Sequence, residues 1–143
     1  MKRQALSLIS LLCLLLMAGS AIGQTLHVRS NVPFNFSAGN KSFPAGTYSV
    51  GTISSDAKIL LLQAGDGNAS VMVGNNAVEA SKGADKTKLV FNRYRDQYFL
   101  SEIWVQGATR GHHLPKTSRE KELAKELAQD LTNRRVEIVA SLY

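Results

Sequence analysis

The chain of 143 residues has one cysteine, one tryptophan and three prolines. The cysteine is Cys13, inside an apolar N-terminal run, so residues 24–143 carry no thiol. That excludes a disulfide framework, thiol catalysis and cysteine-ligated metal, and leaves packing alone to stabilise the fold. No Gly-x-Ser-x-Gly elbow, no phosphate-cradling glycine loop and no zinc-type motif occurs. The usual signatures of serine hydrolases, nucleotide binders and zinc enzymes are therefore missing, and no cofactor is implied. Basic residues are scattered rather than clustered, which removes the basis for nucleic-acid binding.

What is present begins with the N-terminus. Lys2 and Arg3 precede an apolar core at 6–17, followed by small residues up to Gly23. A short basic region, an apolar core and a small-x-small exit at Ala21 and Gly23 predict a secretory signal peptide over 1–23. The core falls short of the ~20 residues a spanning helix needs, so cleavage rather than anchoring is expected, with no transmembrane segment left afterwards. Losing Lys2 and Arg3 lowers the formal charge from +6 to +4. Residues 24–143 suffice for a single domain with its own core.

The stretch 88–105, KLVFNRYRDQYFLSEIWV, is the densest in aromatic and β-branched residues and reads as two long strands at the centre of a sheet. Arg95-Asp96 is poor chemistry for a two-residue turn, so a longer turn through 94–97 is expected. Upstream, 24–30 alternates, VPFNF at 32–36 continues after a break as an edge strand or a strand start, and 42–43 and 47–50 follow around turns. The apolar run 59–62 reads as a fully buried strand, joined through the Gly-Asp-Gly-Asn tip at 65–68 to a partner at 70–73. A weak strand at 77–80 and a polar loop at 81–87 lead into the central pair. One helix is predicted over 118–133, opened by a Thr117/Glu120 capping box, with Leu123, Ala124, Leu127, Ala128 and Leu131 on one face and Asn133 as its stop. A closing strand covers 136–142, a helix continued to Tyr143 being the alternative. About eight or nine short strands with one late helix make a mainly β domain, an antiparallel sandwich or small barrel.

In their order, NVPFNF at 31–36, FPAGTYSV at 43–50, ASK at 80–82, LVFNRY at 89–94 and YFLSEIW at 98–104 resemble a group of uncharacterised small exported β-rich proteins of acidobacteria and similar environmental bacteria. The resemblance covers most of 24–143. A glycine often stands in that group where Arg95 stands here. The resemblance implies an exported bacterial β-domain, and carries no activity or ligand to any residue.

Candidate sites are few. His112 and His113 are adjacent, so on a strand their rings would point apart, and they read as exposed loop histidines rather than metal ligands. Asp66 lacks the further oxygen ligands a calcium loop requires. Glu102, with Asp96 and Glu79, offers the carboxylates of a glycoside hydrolase by residue type only, and an ion pair of Glu102 with Arg93 or another cross-strand base is the plainer expectation. Tyr98 and Trp104, six residues apart, would share a face of an unbulged strand and could stack on a sugar; the alternative is that both belong to the core. The aromatic C-terminus Tyr143 is a feature of membrane barrels, but Glu137 and Ser141 would then face lipid, and most strands are shorter than the ~9–11 residues such barrels use.

The reading is an exported non-enzymatic β-domain, periplasmic or extracellular, that binds or structures something in the cell envelope or outside it. A carbohydrate-binding module through Tyr98 and Trp104 is the alternative, and a hydrolase through Glu102 a second. The partner would be an envelope polymer or a protein. N-terminal sequencing of the protein recovered outside the cytoplasm should begin at Gln24; an intact Met1 end would remove the export argument.

Overall fold

A computed structural model describes residues 25–129 and 134–143. The expected signal peptide at 1–23, and Leu131 and Asn133 at the expected helix end, lie outside the described residues. The fold is a β-sandwich with one helix among the described residues, and neither sheet closes into a barrel.

The strands are β1 (His27–Val32), β2 (Phe36–Ala38), β3 (Lys41–Phe43), β4 (Gly46–Thr52), β5 (Ile59–Ala64), β6 (Ser70–Gly74), β7 (Asn76–Glu79), β8 (Lys88–Tyr94), β9 (Gln97–Trp104), β10 (Arg110–His113), β11 (Arg134–Val139) and β12 (Ser141–Leu142). Helix α1 spans Ser118–Glu126. The first sheet runs β12-β1-β4-β5-β6 and the second β11-β8-β9-β10-β7, with the small β2–β3 hairpin attached to β9. The twelve strands among the described residues exceed the eight or nine expected, in part because the closing segment divides in two.

The chain passes between sheets at four points, and each has a local cause. Pro33 and Pro44 lack the N–H a ladder needs, so β1 and β3 end there. The VPFNF segment is thus a crossover, not a continuing strand. Asn35 ties these two crossings together by accepting the Ala45 N–H at 3.0 Å. Asn75 separates β6 from β7, and its side-chain amide donates to the Ala57 carbonyl at 2.9 Å. Ala140 splits β11 from β12; its N–H donates to the Thr87 carbonyl at 2.9 Å, and the Ser30 hydroxyl donates to the Val139 carbonyl at 2.8 Å. Buried backbone groups freed by each crossing are in this way satisfied.

Between the sheets, Phe36, Phe43, Tyr48 and Phe91 form an aromatic cluster with mostly edge-to-face contacts at 5.0–5.5 Å. Val28, Val50, Leu60, Leu62, Leu89, Leu100 and Ile103 complete the core. The run at 59–62 is buried on one face only: Leu60 and Leu62 point inward, while Ile59 is exposed. β9 is the strand buried on both faces, as its composition predicts.

The β8–β9 turn is tighter than expected. Tyr94 pairs with Gln97, and Arg95 takes φ +57°, the left-handed value this two-residue turn demands. Sheet pairing outweighs the unfavourable turn chemistry. α1 is shorter than 118–133, ending at Leu127, whose N–H bonds the Leu123 carbonyl.

Phe91→Ala should cost about 3–5 kcal/mol in denaturant unfolding, whereas Ile59→Ala should cost about 0.5 kcal/mol or less. Equal losses at the two positions would contradict the one-sided burial of β5.

Candidate functional site

β8 and β9 pair in register until Phe91, opposite Leu100, and Val90, opposite Glu102. Ser101 is the extra residue of a β-bulge between them. A bulge reverses which residues face inward. Before it Tyr98 and Leu100 point between the sheets, where Tyr98 stacks on Phe34 at 3.8 Å. After it Ile103 faces inward, and Glu102 and Trp104 lie on the outer face of the second sheet. Tyr98 and Trp104 therefore do not share a face, and no joint stacking platform exists.

Half of that outer face lies under α1. Tyr94 and Phe99 pack against Leu123, Ala124 and Leu127. Thr117 caps the helix by accepting the Glu120 N–H at 3.3 Å, but the Glu120 side chain does not serve as a solvated charge at the helix start. It is buried, accepting from Asn92 Nδ2 at 2.9 Å and from the Tyr94 hydroxyl at 3.1 Å. Burial, with the Glu120 charge adding to it, pushes the Tyr94 hydroxyl up to about 12.

The other half is open. A concavity of about 340 Å³ is lined by Lys82, Gly83, Asp85, Lys88, Glu102, Trp104, Arg135 and Glu137, among others. Two charge clusters build it. Glu102 Oε2 accepts from the Trp104 indole N–H and from Arg135 Nη2, both at 2.7 Å. The base that meets Glu102 is thus Arg135 of β11, not Arg93, whose guanidinium lies over the Tyr98 ring instead. Lys88 Nζ donates to Glu137 at 2.9 Å and to Asp85 at 3.3 Å. The Glu137 bond holds the Lys88 ammonium above its usual range, and the Lys88 bond holds Asp85 below the usual carboxylate range.

Trp104 is only 7% exposed, because its indole lies flat on Gly111, the strand neighbour that has no side chain. A methyl group there would come within 2.9 Å of three indole carbons. Trp104 thus offers the cavity a fixed edge rather than a free ring face.

The remaining candidates lie elsewhere. Asp96 sits in the β8–β9 turn, and Glu79 forms an exposed pair with Arg110 at 2.9 Å; neither lines the cavity. Asp66 is occupied in its own turn, accepting from the Asn68 N–H and side-chain amide at 3.0 Å. His112 and His113 are half-buried strand residues, not exposed loop residues. Because Asn75 Nδ2 donates to Ala57, Asn75 Oδ1 accepts from His112 Nδ1 at 2.8 Å, and burial holds the His112 imidazole below its usual range. Among the described residues no three His, Cys, Asp or Glu gather as a metal site.

Sequence reasoning reached Glu102 and Trp104 but missed Lys88, Arg135 and Glu137, which come from strands far apart in the chain. Alternation in 134–139 was the available signal, since it puts Arg135 and Glu137 on one face. No family model, curated protein or solved structure matches this chain.

Gly111→Ala should destabilise the fold by about 1–3 kcal/mol and shift Trp104 fluorescence to longer wavelength, as the indole leaves its bed. Unchanged stability and emission would show that the ring does not rest there.

Proposed function

We infer that this chain is an exported, non-enzymatic β-domain that binds a polymer of the cell envelope or its surroundings, using the concavity beside Trp104. Export is supported by the basic, apolar and small-residue order of 1–23 and by the resemblance carried by 31–104. The observation that carries the binding reading is the convergence of three cationic and three anionic side chains around one immobilised indole edge. Strand pairing fixes Lys88, Glu102, Trp104, Arg135 and Glu137 in advance, so little ordering entropy is lost at these groups when a polar ligand arrives.

Catalysis by Glu102 has less support. A general acid must carry a proton to give, and the Glu102 oxygen that faces Trp104 and Arg135 accepts from both. Glu137, across the cavity, is engaged with Lys88. The groups are arranged to hold rather than to transfer protons.

The carbohydrate reading survives in altered form. With Tyr98 on the inner face, it rests on the Trp104 edge and the planar Arg135 and Glu102 groups, which suit hydroxyl recognition better than ring stacking.

Purified protein should co-sediment with peptidoglycan or an insoluble polysaccharide. Lys82→Glu, at an exposed position on the rim, should weaken that binding roughly two- to fivefold without lowering stability. Retention in high salt would favour hydrogen-bonded sugar recognition, and loss would favour an anionic polymer. Binding to none of these polymers would overturn the reading in favour of a protein partner.

A further inference from the structure

Among the described residues five strands have an open edge: β12 and β6 in the first sheet, and β11, β7 and the three-residue β3, which carries Lys41, in the second. An edge strand presents unpaired N–H and C=O groups, and proteins blunt such edges by brevity, charge, proline, bulges or a covering element. β12 is two residues long. β11 carries Arg134, Arg135 and Glu137. β7 is four residues long and ends on Glu79, paired to Arg110. β6 differs from all of them. Residues 67–78 contain no charge and no proline, and β6 pairs with β5 without a bulge.

The ladder shows which groups face the open edge. Ala64 N–H donates to the Ala69 carbonyl and Asn75 N–H to the Lys58 carbonyl, with Val71 opposite Leu62 and Val73 opposite Leu60. Odd-numbered residues therefore bond inward to β5. Ser70, Met72 and Gly74 direct their N–H and C=O groups to the outer edge. Lys41 reaches the Ser70 carbonyl from that side at 3.2 Å.

We propose that β6 pairs antiparallel with β6 of a second copy, about a two-fold axis at Met72, joining the two first sheets into one continuous sheet. Met72 then faces the partner's Met72 as a hydrogen-bonded pair, and Ser70 faces the partner's Gly74. The occupant is a second copy because the edge complements itself in three respects. Its own residues carry no charge, and the cation that reaches it, Lys41 at the Ser70 carbonyl, gives way there to the partner's Gly74 N–H. Met72 is 67% exposed, and its register neighbour Leu61 lies beside it on the same face. The pairing extends this row to the partner's Met72 and Leu61, covering apolar surface with like surface. Finally, Lys41 marks only the Ser70 end. Antiparallel pairing places the two Lys41 side chains at opposite ends of the seam, whereas parallel pairing would bring them together. An isologous contact of this kind closes on itself and stops at the dimer. It is independent of the Trp104 cavity, which lies on the other sheet.

Sedimentation equilibrium of the protein, expressed from its full gene and purified as the cell processes it, should show a dimer that dissociates on dilution. Met72→Lys should weaken association by about tenfold or more while thermal unfolding shows an intact fold. Should that variant not fold, Gly74→Pro removes one edge donor at a position where an added Cβ meets nothing within 4 Å, and should weaken association likewise. In a Cys13→Ser background, Met72→Cys should oxidise to a discrete covalent dimer, since hydrogen-bonded antiparallel partners sit about 5.5 Å apart at Cα, within disulfide reach. Ile53→Cys, exposed but off the seam, should not. A monomer at every concentration, a dimer undiminished in folded Met72→Lys, or a ladder of higher covalent oligomers would each overturn the proposal.

Discussion

β9 is enclosed on both faces, and one unpaired residue within it, Ser101, decides what each face receives. Without the bulge, strict alternation would turn Tyr98, Leu100, Glu102 and Trp104 to the same side. Glu102 would then be driven between two apolar sheets, where an unpaired carboxylate is costly. With the bulge, Leu100 and Ile103 both reach the core, and Glu102 emerges on the outer face beside Arg135 and the Trp104 indole. The bulge is thus the price of combining an apolar core with a polar site on one central strand.

The outer face of that sheet is finished in two ways. α1 closes one end through Leu123, Ala124 and Leu127, with the buried Glu120 held by Asn92 and Tyr94. Loop 80–87 and β11 wall the other end, leaving the concavity. The same helix cap serves both ends of this logic. Thr117 satisfies the Glu120 N–H, while the Glu120 side chain turns inward and locks the helix to the sheet.

Much of the architecture was legible because it rests on local chemistry. Period-two alternation marked β1 and β11, aromatic and β-branched density marked β8 and β9 as central, and the Gly-Asp-Gly-Asn tip marked the β5–β6 hairpin. Pro33 was misjudged because its lack of an N–H says that a ladder ends, but not that the chain crosses to another sheet. Arg95 was misjudged for the opposite reason: the pairing of Tyr94 with Gln97 imposes a left-handed conformation that its side chain does not prefer.

Residue order alone was enough for a mainly β domain, and for its one late helix. Those properties depend on composition and on neighbours a few positions away. It could not supply the partners of Glu102, the separation of Tyr98 from Trp104, or the open edge at β6. Each of these depends on register and strand order, which bring Arg135 across from Asn92 and leave Met72 with a neighbour on one side only. A one-residue slip or bulge changes faces without altering any local preference, so only the assembled sheets decide where the charges, the indole and the free edge lie.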